Sequence, residues 1–551
     1  MEHNQFLFVT VESPTWLLYV SLLVIAVFFR FSRLMSVRNL DLTLLLLLST
    51  ALVMAAASKP IAAKATSTVE QISGAATKEL PGTTQQSADA EATADALDGT
   101  ASTAAVTSVA ESPVEPQTPT SVGDVAAVIP VSADSESPTA ENSESNLEPS
   151  VAANSPVYRW SSIAVLSLSI IVIIRLTFDE SLTRRPRLEQ NLNQAGLTFL
   201  FLPAFSILMT GVFIKEIPSR NVAAVVSGVA LLEGQESTVN SAGNETTPAA
   251  TETLLAAGAA KVAELSGRGQ SLQTGSDSDK TPTEAFIARI LVVLAHSTVV
   301  LGLLYIGRKH FCSMQLGIAM SCLYLLLPCT AYNVHELSHV VPGACLTWAF
   351  ASYRKPAVAG ILLGLACGTL FFAIFLLPVW AVFYGRKGGV RFCVSLAAVA
   401  AVVLVTFALT SENTDSFVNK LVMAANWTVY RLFDAAAPMQ DTTIGHTFLR
   451  ITLAAAFFVM LVAMTVIPRK RNLENLLSNS TALIVAAQLW YPEDVGSYVL
   501  WYLPLLLLVV FRPRLDRFVP PESTYAVAAS RLPEPQTAKT AGSLPRVTLY
   551  N

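Results

Sequence analysis

Residues 354–389 read RKPAVAGILLGLACGTLFFAIFLLPVWAVFYGRKGG, an apolar stretch with a basic pair at each end. Membrane proteins keep Lys and Arg near their spans on the cytoplasmic side. A single crossing would place the two basic pairs on opposite sides of the membrane. The charges therefore predict a hairpin over 357–384 that enters and leaves on the same side. Gly364 and Gly368 are the expected break, because glycine weakens a helix.

The alternative for this stretch is that the preceding apolar segment, 338–351, does not cross. That choice would leave the basic pair Arg354 and Lys355 outside, so we prefer the hairpin. Both interpretations keep residues 333–339 on the outer side.

The composition of the whole chain also indicates a membrane protein. It is 52% hydrophobic and only 14% charged, whereas soluble domains carry about 25% charged residues. The predicted fold class is all-α: a polytopic integral membrane protein with about eleven spans plus the hairpin, and two long disordered outer linkers. The spans are 15–29, 42–57, 160–174, 197–214, 285–307, 314–332, 338–351, 390–410, 447–467, 476–490 and 495–511.

Two polar stretches, 61–156 and 219–283, separate the apolar segments. The first is rich in Ala, Ser, Thr, Glu and Pro without any aromatic residue, and the second is similar. Such segments bury too little apolar surface to offset the entropy of ordering, so we expect both to be disordered. The domain organisation that follows is 1–60 and 157–218 as two-span hairpins, 284–517 as a multi-span membrane domain and 518–551 as a cytoplasmic tail. A related expectation is that residues 1–217 form a separate four-span module.

Basic clusters set the predicted orientation. They follow the first, third, fifth and last spans and the span at 447–467, and placing them all inside puts the N-terminus outside and the C-terminus in the cytoplasm. Both linkers then lie outside. We expect the cell (inner) membrane of a bacterium.

The segment His335-Glu336-Leu337-Ser338-His339 spells H-E-x-x-H, the pattern of zinc peptidases. That site needs both histidines on one face of a continuous helix. Pro342 argues against this, because proline suits a first helical turn and favours a helix that begins near Val341. Three interpretations stay open: a metal site, a polar site without metal, and an interfacial loop without chemistry. We expect no metal and no cofactor.

The outer loop at 411–446 mixes aromatic and acidic side chains, which suits a helix lying in the membrane interface. Arg450 lies just inside the following span, where a charge is costly unless it pairs. Asp441 or a phosphate is its expected partner. Asp441 and Arg450 are therefore candidate substrate-binding residues, and a plain surface connector is the alternative.

Residues 318–410 resemble the GT-C superfamily of membrane glycosyltransferases. The similar features are an outer polar loop, a span ending in YRKP, the segment AGILLGLACG, an apolar stretch with Pro378 and a basic GRKGG. In that family, the A-G-x-x-x-G-L-A segment and its continuation form short paired helices. The chain departs from the family in its first outer loop, which carries no membrane-proximal acidic pair.

The resemblance implies transfer of a sugar from a polyprenyl-phosphate donor to an acceptor at the outer face. That chemistry needs a carboxylate base and groups that hold the departing phosphate, but no catalytic Asp of the family has a counterpart here. Glu336 is therefore the candidate base, and His335 or His339 could bind phosphate, because these three residues form the outer-facing polar cluster of the resembling region. The alternatives are a non-enzymatic transporter or scaffold, and a membrane zinc metallopeptidase. Membrane lipid is the expected partner; no basic face suggests nucleic acid, and nothing indicates a particular protein partner.

The predicted sidedness can be tested by cysteine labelling. We expect cysteines introduced at positions 184 and 470 to react from the same side of the membrane, because both lie in basic clusters. Intact cells and opened membranes treated with an impermeant maleimide give the measurement. Labelling of the two positions from opposite sides would contradict the orientation.

Overall fold

The computed structural model describes residues 14–33, 36–58, 156–179, 190–233, 248–265, 277–369, 371–409, 444–467, 471–490 and 498–513, with scattered positions at 411–421 and 515–520. They all belong to one unit made of 1–59 and 153–551. The described residues form helices and no strand, which confirms the all-α class. The predicted linker at 61–156, save its last position, lies outside the described residues.

Fifteen α-helices make up the described part of the chain. They are α1 Pro14–Phe28, α2 Val37–Ala57, α3 Pro156–Thr177, α4 Gln194–Ile214, α5 Ser219–Glu233, α6 Ala250–Leu265, α7 Asp277–Lys309, α8 Met314–Leu326, α9 Pro328–Tyr332, α10 Leu337–Ala351, α11 Pro356–Cys367, α12 Leu377–Leu409, α13 Ile444–Val466, α14 Leu473–Trp490 and α15 Val499–Phe511. Short 3₁₀ turns at Phe31–Arg33 and Phe371–Leu376 complete the set.

Several helices are apolar enough for a bilayer. Five are also long enough to cross one: Val37–Ala57, Arg159–Thr177, Gln194–Ile214, Thr283–Lys309 and Gly388–Leu409. Seven shorter apolar helices of 10–17 residues accompany them in the described ranges. These helices indicate a membrane protein.

The centre of the bundle is formed by α14 and α15. All 13 residues of α15 are buried, and so is nearly all of α14. A helix that is apolar all round must be enclosed by protein or lipid. By contrast, α4 and the second half of α12 expose apolar side chains: Phe199 is 78% exposed and Val394 is 63% exposed. Such outward apolar faces suit contact with lipid chains.

The hairpin predicted between the two basic pairs is present as a fold of the backbone. Helix α11 ends at Cys367, and Gly368 and Thr369 turn the chain. The 3₁₀ turn and the first part of α12 then run back, so that the Tyr384 hydroxyl donates to the carbonyl of Tyr353, 2.8 Å away, just before α11 begins. The chain therefore returns to the end from which it started.

A second change of direction follows within α12. Gly385 has φ 71° and ψ −163°, a conformation that L-residues with a side chain rarely adopt. Beyond it, the helix runs alongside α11 at very close range. A Cβ on Gly360 would clash with Ser395 and the Phe392 carbonyl, and one on Gly364 would lie 3.0 Å from Val399. Small residues thus let the two backbones approach.

One end of the bundle is joined by a buried carboxylate, Asp179, which is 1% exposed. It accepts from Arg175 at 2.7 Å and from the Ser478 hydroxyl at 2.9 Å, and it pairs with Arg512. Arg512 is itself buried and also pairs with Glu474. This set ties the end of α3 to α14 and to the residue after α15.

The same end holds a two-pronged ion pair between α3 and α2. Arg175 contacts both carboxylate oxygens of Asp41, at 2.8 and 2.9 Å. Parallel bonds of this kind are the strong form of the Arg–carboxylate contact. Helices from the N-terminal and C-terminal parts of the chain therefore share one charge network.

Two expectations from the sequence are wrong. Residues 219–233 and 250–265, within the predicted disordered linker 219–283, are the helices α5 and α6. They pack backbone to backbone, since a Cβ on Gly228 would lie only 2.6 Å from the Ala257 nitrogen. Small side chains gave the segment a linker-like composition, but they allow this close contact, and Ala favours helix.

The second error concerns the separate module at 1–217. Its helices are part of the same unit as the rest of the described chain. Besides the Asp179–Arg512 pair, the Cys329 amide donates to the Ser49 hydroxyl of α2 at 2.9 Å. These polar contacts join the N-terminal helices to the later ones, so the described helices of 1–217 do not form a unit of their own.

We expect Asp179→Ala to destabilise the protein by up to about 3–5 kcal/mol, because it removes one of the two carboxylates that pair with the buried Arg512 and leaves only Glu474. The free energy of unfolding in detergent gives the measurement. Glu264→Ala is the matched control: Glu264 forms an exposed pair with Lys261 at 2.9 Å, and such pairs contribute less than about 1 kcal/mol. Equal effects of the two substitutions would contradict the prediction.

Candidate functional site

The turn between α9 and α10 carries His335 and Glu336. Helix α10 begins at Leu337, with Glu336 as its N-cap, and Pro342 lies inside it. The expected start near Val341 is thus wrong by four residues. Leu337 and Val340 are 1% and 0% exposed, and we attribute the earlier start to their burial, which offsets the hydrogen bond that Pro342 cannot donate.

This helix start also separates the two histidines of the H-E-x-x-H pattern. His335 precedes α10, whereas His339 lies in its first turn. The His335 Nε2 atom lies 3.4 Å from the Glu336 carboxylate. The continuous helix that a zinc site of this type requires is absent here. Among the described residues, no group of three His, Cys, Asp or Glu side chains is arranged to hold a metal ion.

Helices α5 and α6 bring three further polar residues to the turn. The Asn221 amide donates to the carbonyl of His335 at 2.6 Å. Arg220, its neighbour, has its Nε atom 3.6 Å from Glu252 on α6. Glu252 also accepts from the Ala249 amide at 3.3 Å, which satisfies a free donor at the start of its own helix. The site is thus built where α5, α6 and α10 begin.

The start of α6 is fixed to the tip of the hairpin. Thr251 donates from its amide to Gly368 at 3.2 Å and from its hydroxyl to Leu365 at 2.8 Å. A Cβ on Gly368 would clash with the Thr251 hydroxyl, so the turn of the hairpin has room for no side chain. The polar cluster and the hairpin are therefore one connected assembly.

The pKa values of the two carboxyl groups of the cluster, Glu252 and Glu336, are shifted in opposite directions. Burial raises the pKa of Glu252 above its ordinary value of 4.5, against the opposing effect of Arg220. Burial also acts to raise the pKa of Glu336, but His335, His339 and Arg220 more than offset it, so the pKa of Glu336 lies below the ordinary value. Two acids whose environments separate their pKa values are suited to different roles in proton transfer.

His339 faces an aromatic wall. Its ring packs edge-on against Tyr498 at 5.1 Å, and Tyr498 in turn contacts Phe372 of the hairpin at 5.2 Å. The buried polar atoms of this cluster that have no hydrogen-bond partner include Nδ1 of His335, Nδ1 of His339 and Oε1 of Glu252. Buried polar atoms normally have partners, so these three are available to a ligand or to water.

The structure describes some of the site residues predicted from the sequence and not others. Glu336, His335 and His339 lie together in the cluster. Asp441 lies outside the described residues. Arg450 is in α13, and its side chain is outside the described set, so its predicted pairing with Asp441 stays a prediction.

Sequence reasoning missed Arg220, Asn221 and Glu252, because all three lie in the segment taken for a disordered linker. A usable signal was present in ATETLLAAGAAKVAEL at 250–265, where small apolar residues recur at helical spacing. Ala256, Ala257 and Ala260 of that run are buried. Thr251 and Glu252 stand at its start, where side chains cap helices.

No protein-family model, curated protein or solved structure matches the chain.

Glu252 makes the stability of the protein depend on pH. Because its pKa is raised, the folded protein binds this proton more tightly than the unfolded chain, so the contribution of Glu252 to stability falls as pH rises above 4.5. Glu252→Gln cannot ionise and removes this loss. We expect the melting temperature of Glu252→Gln to increase relative to that of the wild type as pH rises to neutral.

The measurement is thermal unfolding in detergent across that pH range. Glu264→Gln, at an exposed position, is the control and should follow the wild type. Parallel curves for the wild type and Glu252→Gln would contradict the prediction.

Proposed function

We propose that the protein is a GT-C-like glycosyltransferase that moves a sugar from a polyprenyl-phosphate donor to an acceptor at the outer membrane face. The observation that supports this most is the placement of Glu336 beside two histidines and near Arg220, at one end of an apolar bundle. A carboxylate and cationic or polar donors in one partly enclosed place are what the chemistry requires.

In this proposal, Glu336 takes the proton from the acceptor hydroxyl. The pKa shift favours its ionised form, which a base needs. The acceptor oxygen then forms a bond to the anomeric carbon of the sugar while the bond from that carbon to the phosphate oxygen breaks. The polyprenyl phosphate leaves with the electron pair of the broken bond.

The departing phosphate would be held by donors around the carboxylate. Arg220 is one-third exposed and can reach a ligand while it stays near Glu252. His335 or His339 would supply a further donor. Preorganised donors stabilise the charge that develops on a leaving group, and such stabilisation is often the largest catalytic contribution. Asp441 and Arg450 complete the proposed substrate-binding set from the outer loop and the next span.

The hairpin adds support to the proposal. Its two arms, α11 and the returning part of α12, are short and paired, as the resemblance implies for the A-G-x-x-x-G-L-A segment. Its tip contacts Thr251 next to Glu252, so the hairpin supports the polar cluster directly.

The membrane arrangement belongs to the same proposal. It has about eleven spans beside the hairpin, the N-terminus outside and the C-terminus in the cytoplasm. The membrane is the inner membrane of a bacterium. Membrane lipid, including the polyprenyl-phosphate sugar, is the proposed partner.

A second candidate is a non-enzymatic transporter or scaffold. It is favoured by the buried charges of Asp179, Arg175 and Arg512, since ionisable groups within membrane bundles often line transport paths. In that case, the polar cluster around Glu336 would hold helices together rather than perform chemistry.

Glu336→Gln separates the two candidates. Glutamine keeps the shape of the side chain but cannot accept the proton, so we expect transfer to fall by about 100-fold or more. The assay follows a labelled polyprenyl-phosphate sugar and its product, with Glu264→Gln as the exposed control. Equal turnover by the wild type and Glu336→Gln would remove Glu336 as the base. Absence of transfer by the wild type would favour the second candidate.

A further inference from the structure

Two successive carbonyl groups next to Glu336 are held by side chains from other helices. Helix α9 ends at Tyr332 and α10 begins at Leu337, so the turn between them has few helical partners for its carbonyls. The carbonyl of Val334 lies 2.9 Å from Nε2 of His296 on α7. The carbonyl of His335 accepts from Asn221 on α5 at 2.6 Å.

The protonation of His296 follows from its partners and from its burial. A carbonyl only accepts, so Nε2 must carry the proton that it donates to Val334. A charged imidazolium without a carboxylate beside it is costly in a place closed to water, so Nδ1 keeps its lone pair and accepts from the hydroxyl of Tyr324 on α8, 2.9 Å away. His296 and Tyr324 are both 0% exposed. The imidazole is therefore neutral and in a single tautomer, with both nitrogens satisfied.

We propose that His296 is a positioning residue for the site, and that Tyr324 fixes its tautomer. The chain Tyr324–His296–Val334 determines how the turn presents His335 and Glu336. If the turn rotated, a carbonyl and an imidazole would lose their hydrogen bond in a place closed to water, which is costly. The kinetic consequence rests on the proposed function, whereas the structural consequence rests on the contacts alone.

The packing of α7 against α8 does not depend on this relay. The two helices also meet where a Cβ on Gly317 would lie 3.1 Å from the Leu304 backbone, and the Ser321 hydroxyl donates to Val300 at 3.3 Å. Loss of the His296 bonds should therefore loosen the turn before it unfolds the bundle. This separates a positioning role from a general contribution to stability.

The test compares His296→Leu, His296→Gln and Tyr324→Phe with Ser297→Ala in the full-length, detergent-purified protein. Leucine fills the buried space with an apolar side chain and removes both bonds, whereas glutamine offers a donor and an acceptor side by side, as the neutral imidazole does. Ser297 is the control, because its hydroxyl donates only to Val293 within the same helix, at 2.7 Å.

The first readout is hydrogen exchange of the backbone amides at 333–337. The Glu336 amide donates to Asn333 at 3.2 Å, so its exchange reports on the turn itself. We expect exchange about 10-fold faster in His296→Leu, in line with the loss of one buried hydrogen bond. The effect should be smaller in Tyr324→Phe, partly restored in His296→Gln and absent in Ser297→Ala.

The second readout is the transfer of a labelled polyprenyl-phosphate sugar. We expect kcat to fall in His296→Leu with KM little changed, because the turn carries the base rather than the whole substrate contact, and we expect His296→Gln to recover part of kcat. Altered exchange in a protein whose wild type transfers no sugar would support the positioning role and reject the proposed function.

Unchanged exchange at 333–337 in folded His296→Leu would overturn the proposal. If that variant does not fold, Tyr324→Phe and His296→Gln decide. Unchanged exchange in Tyr324→Phe would equally overturn the proposal. So would a loss of protection at 333–337 in His296→Gln that is as large as that caused by global unfolding.

Discussion

The buried carboxylate of Asp179 is the contact on which the arrangement of the bundle depends. It pairs with Arg175 and Arg512 and accepts from the Ser478 hydroxyl, in a place that is closed to water. Arg175 lies on α3, just before Asp179, whereas Ser478 is on α14 and Arg512 follows α15. A charge in such a place is tolerated only when its partners are correctly placed. Only the packing that brings α3, α14 and the end of α15 together satisfies it.

The site at the polar cluster follows a different logic. Glu336, Glu252, His335 and His339 are contributed by turns and first helical turns, where backbone donors are free. Several of their polar atoms stay without partners, in contrast to the saturated oxygens of Asp179. In the first network the carboxylate has a partner on each oxygen and holds helices together, whereas the second leaves a carboxylate oxygen and two imidazole nitrogens open to a ligand. This difference is the physical reason for placing function at the cluster.

The sequence predicted the all-α class, the hairpin and the grouping of Glu336 with its two histidines. These features depend on strong signals: long apolar runs, basic pairs at both ends of one run, and three ionisable residues within a five-residue stretch. It failed at α5 and α6, because alanine-rich helices that pack through small residues resemble linkers in composition. The prediction therefore also missed Arg220 and Glu252, which lie on these two helices. Their approach to Glu336 depends on contacts far apart in sequence, which local patterns do not record.

The small residues on α11 have a consequence for how the chain tolerates length changes. Gly360, Gly364 and Gly368 recur every fourth position and meet Ser395, Val399 and Val403 in the same order. One residue of an α-helix turns the chain by about 100°. A single insertion between Gly360 and Gly368 would therefore swing every later glycine out of the contact and bring a bulky neighbour into it. Residues in this stretch can be substituted, but the number of residues between the glycines cannot change. Related chains should therefore differ there by substitution and never by a gap.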